Sequence, residues 1–83
     1  MNILYESSSY KDLKKLPHSK RKKLLRKIEL LSEYPFSGKK LEGKYQGLWS
    51  LRVWPFRVVY EIRDKTLVIL SITHRQSAYK KRF

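Results

Sequence analysis

Three arginines, Arg52, Arg57 and Arg75, stand at positions that strand alternation would bring onto one surface. In residues 48–62, LWSLRVWPFRVVYEI, Trp49, Leu51 and Val53 alternate with Leu48, Ser50 and Arg52. Beyond Trp54-Pro55, Phe56, Val58, Tyr60 and Ile62 alternate with Arg57, Val59, Glu61 and Arg63. Side chains on a strand have a period of two, so each apolar set can cover a core while Arg52 and Arg57 face away from it. Placing Val68, Leu70 and Ile72 toward that core puts Ser71, Thr73 and Arg75 on the same outer face. A guanidinium is a planar fork that matches phosphate oxygens and keeps its charge at every relevant pH. Singly, each arginine reads as surface charge of a basic protein. Three on one sheet face point to a phosphate site.

His74 and Tyr79 flank Arg75. A histidine exchanges protons near neutral pH, and a tyrosine stacks on a base or donates a hydrogen bond. The structural alternatives are a polar strand end for His74, which alternation points away from Arg75, and a packing aromatic for Tyr79. Trp54 shares parity with Arg52 and can stack on a base or simply cover the sheet, whereas Trp49 has core parity. His18 falls in a bend, and two separated histidines without cysteine do not make a metal site. Phosphate-binding glycine loops, a dinucleotide pattern and Ser-His-Asp spacing are absent.

These residues must be positioned by a small set of elements. Asn2–Glu6 reads as a strand, and Ser7-Ser8-Ser9 offers a cap for a helix from about Ser9 to Leu16, with Tyr10, Leu13 and Leu16 as its apolar stripe. Pro17-His18 bends the chain, and Ser19 is a second capping candidate for a helix to about Ser32. Leu24, Leu25, Ile28, Leu31 and Leu30 form the apolar face of that helix, and Lys20, Arg21, Lys22, Lys23, Arg26 and Lys27 form a basic one. Tyr34-Pro35 ends it. Residues 36–47 read as a lysine-bearing, partly extended loop. Arg63-Asp64-Lys65 is a tight turn into a strand over Thr66–Thr73, and the tail 74–83 is basic. The expected fold is α+β in one domain over residues 1–83. It has an N-terminal strand, a two-helix hairpin and a three-stranded antiparallel meander, with the helices on one face of the sheet.

Twenty Lys and Arg against seven Asp and Glu leave a net charge of +13 on 83 residues. Self-repulsion on that scale favours a polyanionic partner: nucleic acid, an acidic membrane surface or an acidic protein. A solvated face is the plain reading of the helical lysines; sequence-independent backbone contact is the functional one. The absence of cysteine excludes disulfides, thiolate metal sites and cysteine nucleophiles. No apolar run is long enough for a membrane span, and MNILYESSSY lacks the layout of a signal peptide, so the expectation is a cytoplasmic protein.

The stretch GLWSLRVWPFRVVYEI, followed by a turn and LVILSITHRQSAY, resembles the RelE/ParE superfamily of type II toxin–antitoxin toxins, as do YKDLKKLP and KLEG. The shared pattern is carried here by Arg52, Arg57, Tyr60, His74, Arg75 and Tyr79. The resemblance implies a toxin with two N-terminal helices and a curved antiparallel sheet. RelE-like members cleave mRNA in the ribosomal A site, ParE-like members poison DNA gyrase, and a cognate antitoxin wraps the RelE-like toxin. On the ribonuclease reading the ribose 2′-hydroxyl attacks the adjacent phosphate, so the site must hold phosphate, stabilise added negative charge and move protons. By position, Arg57 and Arg75 match the phosphate and transition-state arginines, and Tyr79 the tyrosine that orients the nucleotide. The candidate catalytic set is therefore Arg57, Arg75, Tyr79 and His74, with Arg52, Lys44 and Trp54 binding substrate, and with no cofactor or metal. One departure stands out. RelE-type sites carry lysines on the first meander strand, one of them the general base, and the matching positions here are Leu48 and Ser50. That leaves the base to His74, Lys44 or another loop lysine, or makes it dispensable on the ribosome. It also keeps open a gyrase-directed toxin, an inactive copy and a plain nucleic-acid-binding module.

Overall fold

The computed structural model describes residues 1–74. Strand β1 (Asn2–Tyr5) leads into helices α1 (Ser7–Lys14) and α2 (His18–Glu33). A short strand β2 (Lys39–Lys40), a 3₁₀ turn at Gly43–Tyr45, and strands β3 (Leu48–Val53), β4 (Phe56–Arg63) and β5 (Thr66–His74) follow. The strands form one mixed sheet in the order β1-β5-β4-β3-β2, with β1 parallel to β5 and the other pairs antiparallel.

The core lies between the sheet and the helices. Leu13, Leu24, Ile28 and Leu31 meet Val53, Phe56, Val58, Tyr60, Leu67, Ile69 and Ile72, with Trp49, Leu51 and Ile62 packed alongside. The alternation of β3 and β4 is as their sequence implies. In β5 it is not: Leu67 and Ile69 enter the core instead of Val68 and Leu70. The reason is a bulge. Tyr60 pairs with Ile69 and Val59 with Ser71, so Leu70 has no partner of its own. The extra residue resets the phase, which returns Ile72 to the core and leaves Ser71 and Thr73 on the opposite face.

The serines of SSSY do not cap a helix. α1 starts at Ser7 behind Glu6, and no side chain bonds its N-terminus. Instead they bind the edge of β5 where β1 has ended. The Glu6 amide donates to the Ile69 carbonyl (3.0 Å), the Ser8 hydroxyl to that of Leu70 (2.8 Å), and the buried Ser9 hydroxyl lies 2.9 Å from that of Ile69. The Asp12 carboxylate accepts the Ile72 amide at 3.2 Å. α1 thus satisfies backbone groups that an open strand edge would leave exposed.

Ser19 does not cap α2 either, since that helix begins at His18 behind Pro17. Tyr10, expected in the apolar stripe of α1, is exposed beneath the Lys14 ammonium, and Leu30 of α2 is exposed as well. Arg21 leaves the basic face of α2 and turns back to the end of α1. Its Nε donates to the Leu13 carbonyl (3.1 Å) and its Nη2 to those of Lys14 (3.3 Å) and Leu16 (2.9 Å). These carbonyls lie at the end of α1, where helix carbonyls lose their intrahelical partners, and that of Leu13 also accepts the Leu16 amide at 3.1 Å; the charge suits the negative end of the helix dipole.

Candidate nucleic-acid interface on the sheet

On the face of the sheet turned away from the helices, two neighbouring cross-strand rows surround Arg57, and the row beyond them is Leu48, Glu61 and Val68. In one of the two, Lys39, Ser50, Val59 and Ser71 are opposed from β2 to β5; in the other, Arg52, Arg57 and Thr73 are. Directly opposed residues of an antiparallel pair share a face, so these two rows carry three cations and three hydroxyls on one surface. Arg52 is exposed and Arg57 half-buried. Ser50, Ser71 and Thr73 are buried at 5%, 7% and 3% exposure, so the hydroxyls form a floor beneath the charged side chains. Among the described residues, Ser71 Oγ and Thr73 Oγ1 have no hydrogen-bond partner.

Arg57 is the centre of this arrangement. Its Nη1 donates to Ser50 Oγ at 3.2 Å, so the guanidinium leans across β3 toward β2. Arg52 stands directly opposite Arg57 on the neighbouring strand. Like charges at opposed positions are unfavourable. Their pairing creates a concentrated positive field, which is what binding an anion requires.

Other sequence-predicted residues are distributed differently. Trp54 lies in the turn beyond β3, 56% exposed, and its carbonyl accepts from Lys23 Nζ at 3.5 Å. It lies beyond the paired rows of the face, in the link between β3 and β4. His74 closes β5 opposite Phe56, whose ring it meets edge-on at 5.7 Å between centroids, and this pairing sets it on the other side of the sheet from Arg57. Lys44 sits in the 3₁₀ turn with its ammonium over the Tyr45 ring, at the opposite end of β3 from Arg52. Arg75 and Tyr79 lie outside the described residues.

Lys39 escaped the sequence reading, which assigned it to a loop. Two strand residues have no periodicity to detect, and β2 exists because the chain before it is fastened. Tyr60, wholly buried, donates its hydroxyl to the Pro35 carbonyl (2.8 Å) and accepts the Gly38 amide (3.2 Å). A Cβ at position 38 would come within 2.4 Å of the Tyr60 hydroxyl and 2.8 Å of the Ser50 carbonyl, so only glycine allows this approach. Burial raises the pKa of the Tyr60 phenol above its usual value, and the Gly38 bond opposes part of that rise. Phe36, Trp49 and Tyr60 are in ring contact at this end of the sheet, with centroids 5.4 and 6.2 Å apart.

A second group of basic residues lies on α2, on the other side of the core. Leu24, Ile28 and Leu31 bury one face of α2, and Lys20, Lys22, Lys23, Arg26 and Lys27 are exposed on the rest of it. Among the described residues, basic side chains therefore lie on both sides of the core. No helix among the described residues is long and apolar enough to cross a membrane.

Comparison with known proteins agrees with this architecture. Residues 3–79 match the family described as the ParE toxin of the type II toxin–antitoxin system parDE. The putative toxin RelE1 of Methanocaldococcus jannaschii is 35% identical over 86 residues, covering 95% of this chain and 94% of that protein. A chain of the toxin–antitoxin complex RelBE2 from Mycobacterium tuberculosis is 31% identical and superposes with a TM-score of 0.82 over 89% of this chain and 96% of its own. A chain of the archaeal RelE–RelB complex from Pyrococcus horikoshii OT3 is 28% identical, with a TM-score of 0.76 over 93% of this chain and 97% of its own. With a family match over almost the whole chain, and with relatives and fold in agreement, the chain belongs to the RelE/ParE superfamily of type II toxin–antitoxin toxins.

Proposed function

We propose that this toxin is a ribosome-dependent mRNA endonuclease of the cytoplasm, acting as one domain over residues 1–83 without metal or cofactor. The observation that carries the reading is Arg57, half-buried, bonded to Ser50 and opposed by Arg52 on a floor of hydroxyls. In the reaction, the ribose 2′-hydroxyl gives up its proton as its oxygen bonds to phosphorus, and the bond to the 5′-oxygen of the next nucleotide breaks as that oxygen takes up a proton. Negative charge builds on the phosphoryl oxygens between these events, and a fixed guanidinium stabilises it there more than in the ground state. Arg57 and Arg75 are assigned that task, Arg52 a supporting contact, Tyr79 the orientation of the nucleotide, and Trp54 a stacking contact from the link between β3 and β4. Lys44 binds RNA backbone at the far end of β3. His74, on the Phe56 side of β5, is assigned no step. Basic residues on α2 and on the sheet face, across the core from each other, suit a partner that presents RNA to more than one side, as a ribosome does. The complexes formed by the Mycobacterium and Pyrococcus relatives support a cognate antitoxin as protein partner, with an acidic segment to match the charge of +13.

The test is mapping of mRNA 5′ ends in a translating extract. Wild type is expected to create new ends within codons, dependent on ribosomes, and Arg57→Ala is expected to slow their appearance roughly 10²-fold or more. Intact mRNA from a folded, toxic wild-type protein would overturn the reading. It would favour the gyrase-directed alternative, which the ParE family match and the uncharged Leu48 and Ser50 on β3 support.

A further inference from the structure

We propose that Lys39 is a phosphate-binding residue of the sheet face, a role that rests on the reading of this face as an RNA surface. Three observations converge on it. Lys39 opposes Ser50, the residue to which Arg57 is hydrogen-bonded, so the guanidinium lies over the strand next to Lys39. Neighbouring strands are about 5 Å apart, well within the length of a lysine side chain. The ammonium and the guanidinium can therefore reach one phosphodiester. Lys39 is also exposed, so its charge is available to a ligand.

The third observation is how the residue is held. β2 has only two residues, too few to persist by their own pairing. The Tyr60 hydroxyl fastens the chain at Pro35 and Gly38, and Gly38 fits against the Ser50 carbonyl as no other residue can. This fastening ends one residue before Lys39 and fixes its register on β3. The adjacent Lys40 is exposed too but opposes Trp49, on the helix-facing parity of β3. The two lysines therefore carry the same charge, are both exposed and differ in face, which makes each the control for the other.

The experiment is fluorescence anisotropy of the full chain with a short single-stranded RNA, 2′-O-methylated so that 2′-hydroxyl attack cannot cut it. Lys39→Gln is expected to weaken binding about 5-fold and to reduce the slope of log K against log salt by about 0.7, the loss of one phosphate contact. Lys40→Gln should leave the slope close to wild type, and Lys39→Arg should restore most of the affinity. Equal effects of the two glutamine variants, or wild-type binding by Lys39→Gln, would overturn the proposal; so would a wild-type chain that binds no RNA. The cleavage reading is judged separately with unmodified mRNA in a translating extract. If wild type binds RNA but leaves mRNA intact, the cleavage reading falls while the anisotropy still decides Lys39.

Discussion

Tyr60 reaches from the centre of β4 to accept the Gly38 amide at 3.2 Å while donating to Pro35, so one buried phenol holds the chain that leads into the edge strand β2. Tyr60→Phe keeps the ring and removes both bonds. The expected loss of stability is about 1–3 kcal/mol, because the Gly38 N–H and the Pro35 carbonyl would lose a partner beneath the loop. Urea unfolding measures the loss. Amide exchange at Gly38 should accelerate more than exchange in β4, a local signature that general destabilisation would not give.

The same phenol makes stability depend on alkaline pH. Burial raises the Tyr60 pKa, and burial followed by the Glu29 carboxylate raises that of Tyr5. Above about pH 10 the unfolded chain releases these protons while the folded chain retains them. The unfolded state then binds fewer protons, so stability falls as pH rises, from the unfolded pKa up to the folded ones. Below that window the contribution is fully present. Urea midpoints between about pH 9 and 11 should fall more steeply for wild type than for the Tyr5→Phe/Tyr60→Phe variant.

Arg21 is expected to behave as a structural residue despite its place in a run of basic side chains. Arg21→Ala removes the donors to the Leu13, Lys14 and Leu16 carbonyls and should cost about 1–2 kcal/mol. In a domain of this size that corresponds to a Tm lowered by roughly 4–8 °C per kcal/mol. Lysine keeps the charge but has no fork, so Arg21→Lys should recover only part of the loss. Alanine at the exposed Lys22 should leave Tm almost unchanged.

The β4–β5 hairpin contains correctable strain. Asp64 and Lys65 have φ of +47° and +61°, the left-handed geometry of a type I′ turn. Aspartate tolerates that region, whereas lysine has no local hydrogen bond to offset the contact of its Cβ with the carbonyl. Lys65→Gly is expected to stabilise the protein by about 0.5–1 kcal/mol, as a higher urea midpoint with an unchanged m value.

How much of this was legible beforehand depends on how much each feature relies on neighbours along the chain. The strands β3 and β4 could be read because apolar and polar residues alternate over six and eight positions, enough to set parity locally. That parity placed Arg52 and Arg57 together and away from the core. The family resemblance rests on these same residues. The helices were legible in kind but not at their starts, because Ser8 and Ser9 had an alternative hydrogen-bonding use at the edge of β5 that sequence alone does not reveal.

Only the tertiary structure decided the rest. The phase of β5 changes at Leu70 because pairing with Val59 and Tyr60 skips it, and a uniformly apolar strand carries no mark of where a bulge falls. The strand β2 depends on the Tyr60 hydroxyl, 22 residues from the Gly38 it binds, which brings Lys39 into line with Ser50 and Arg57. The placing of basic residues both on the sheet face and on α2, across the core, likewise follows from which side of the sheet the helices cover. Composition and local alternation determined the charge and the parity of the central strands; contacts between residues distant in the chain determined which of those charges meet.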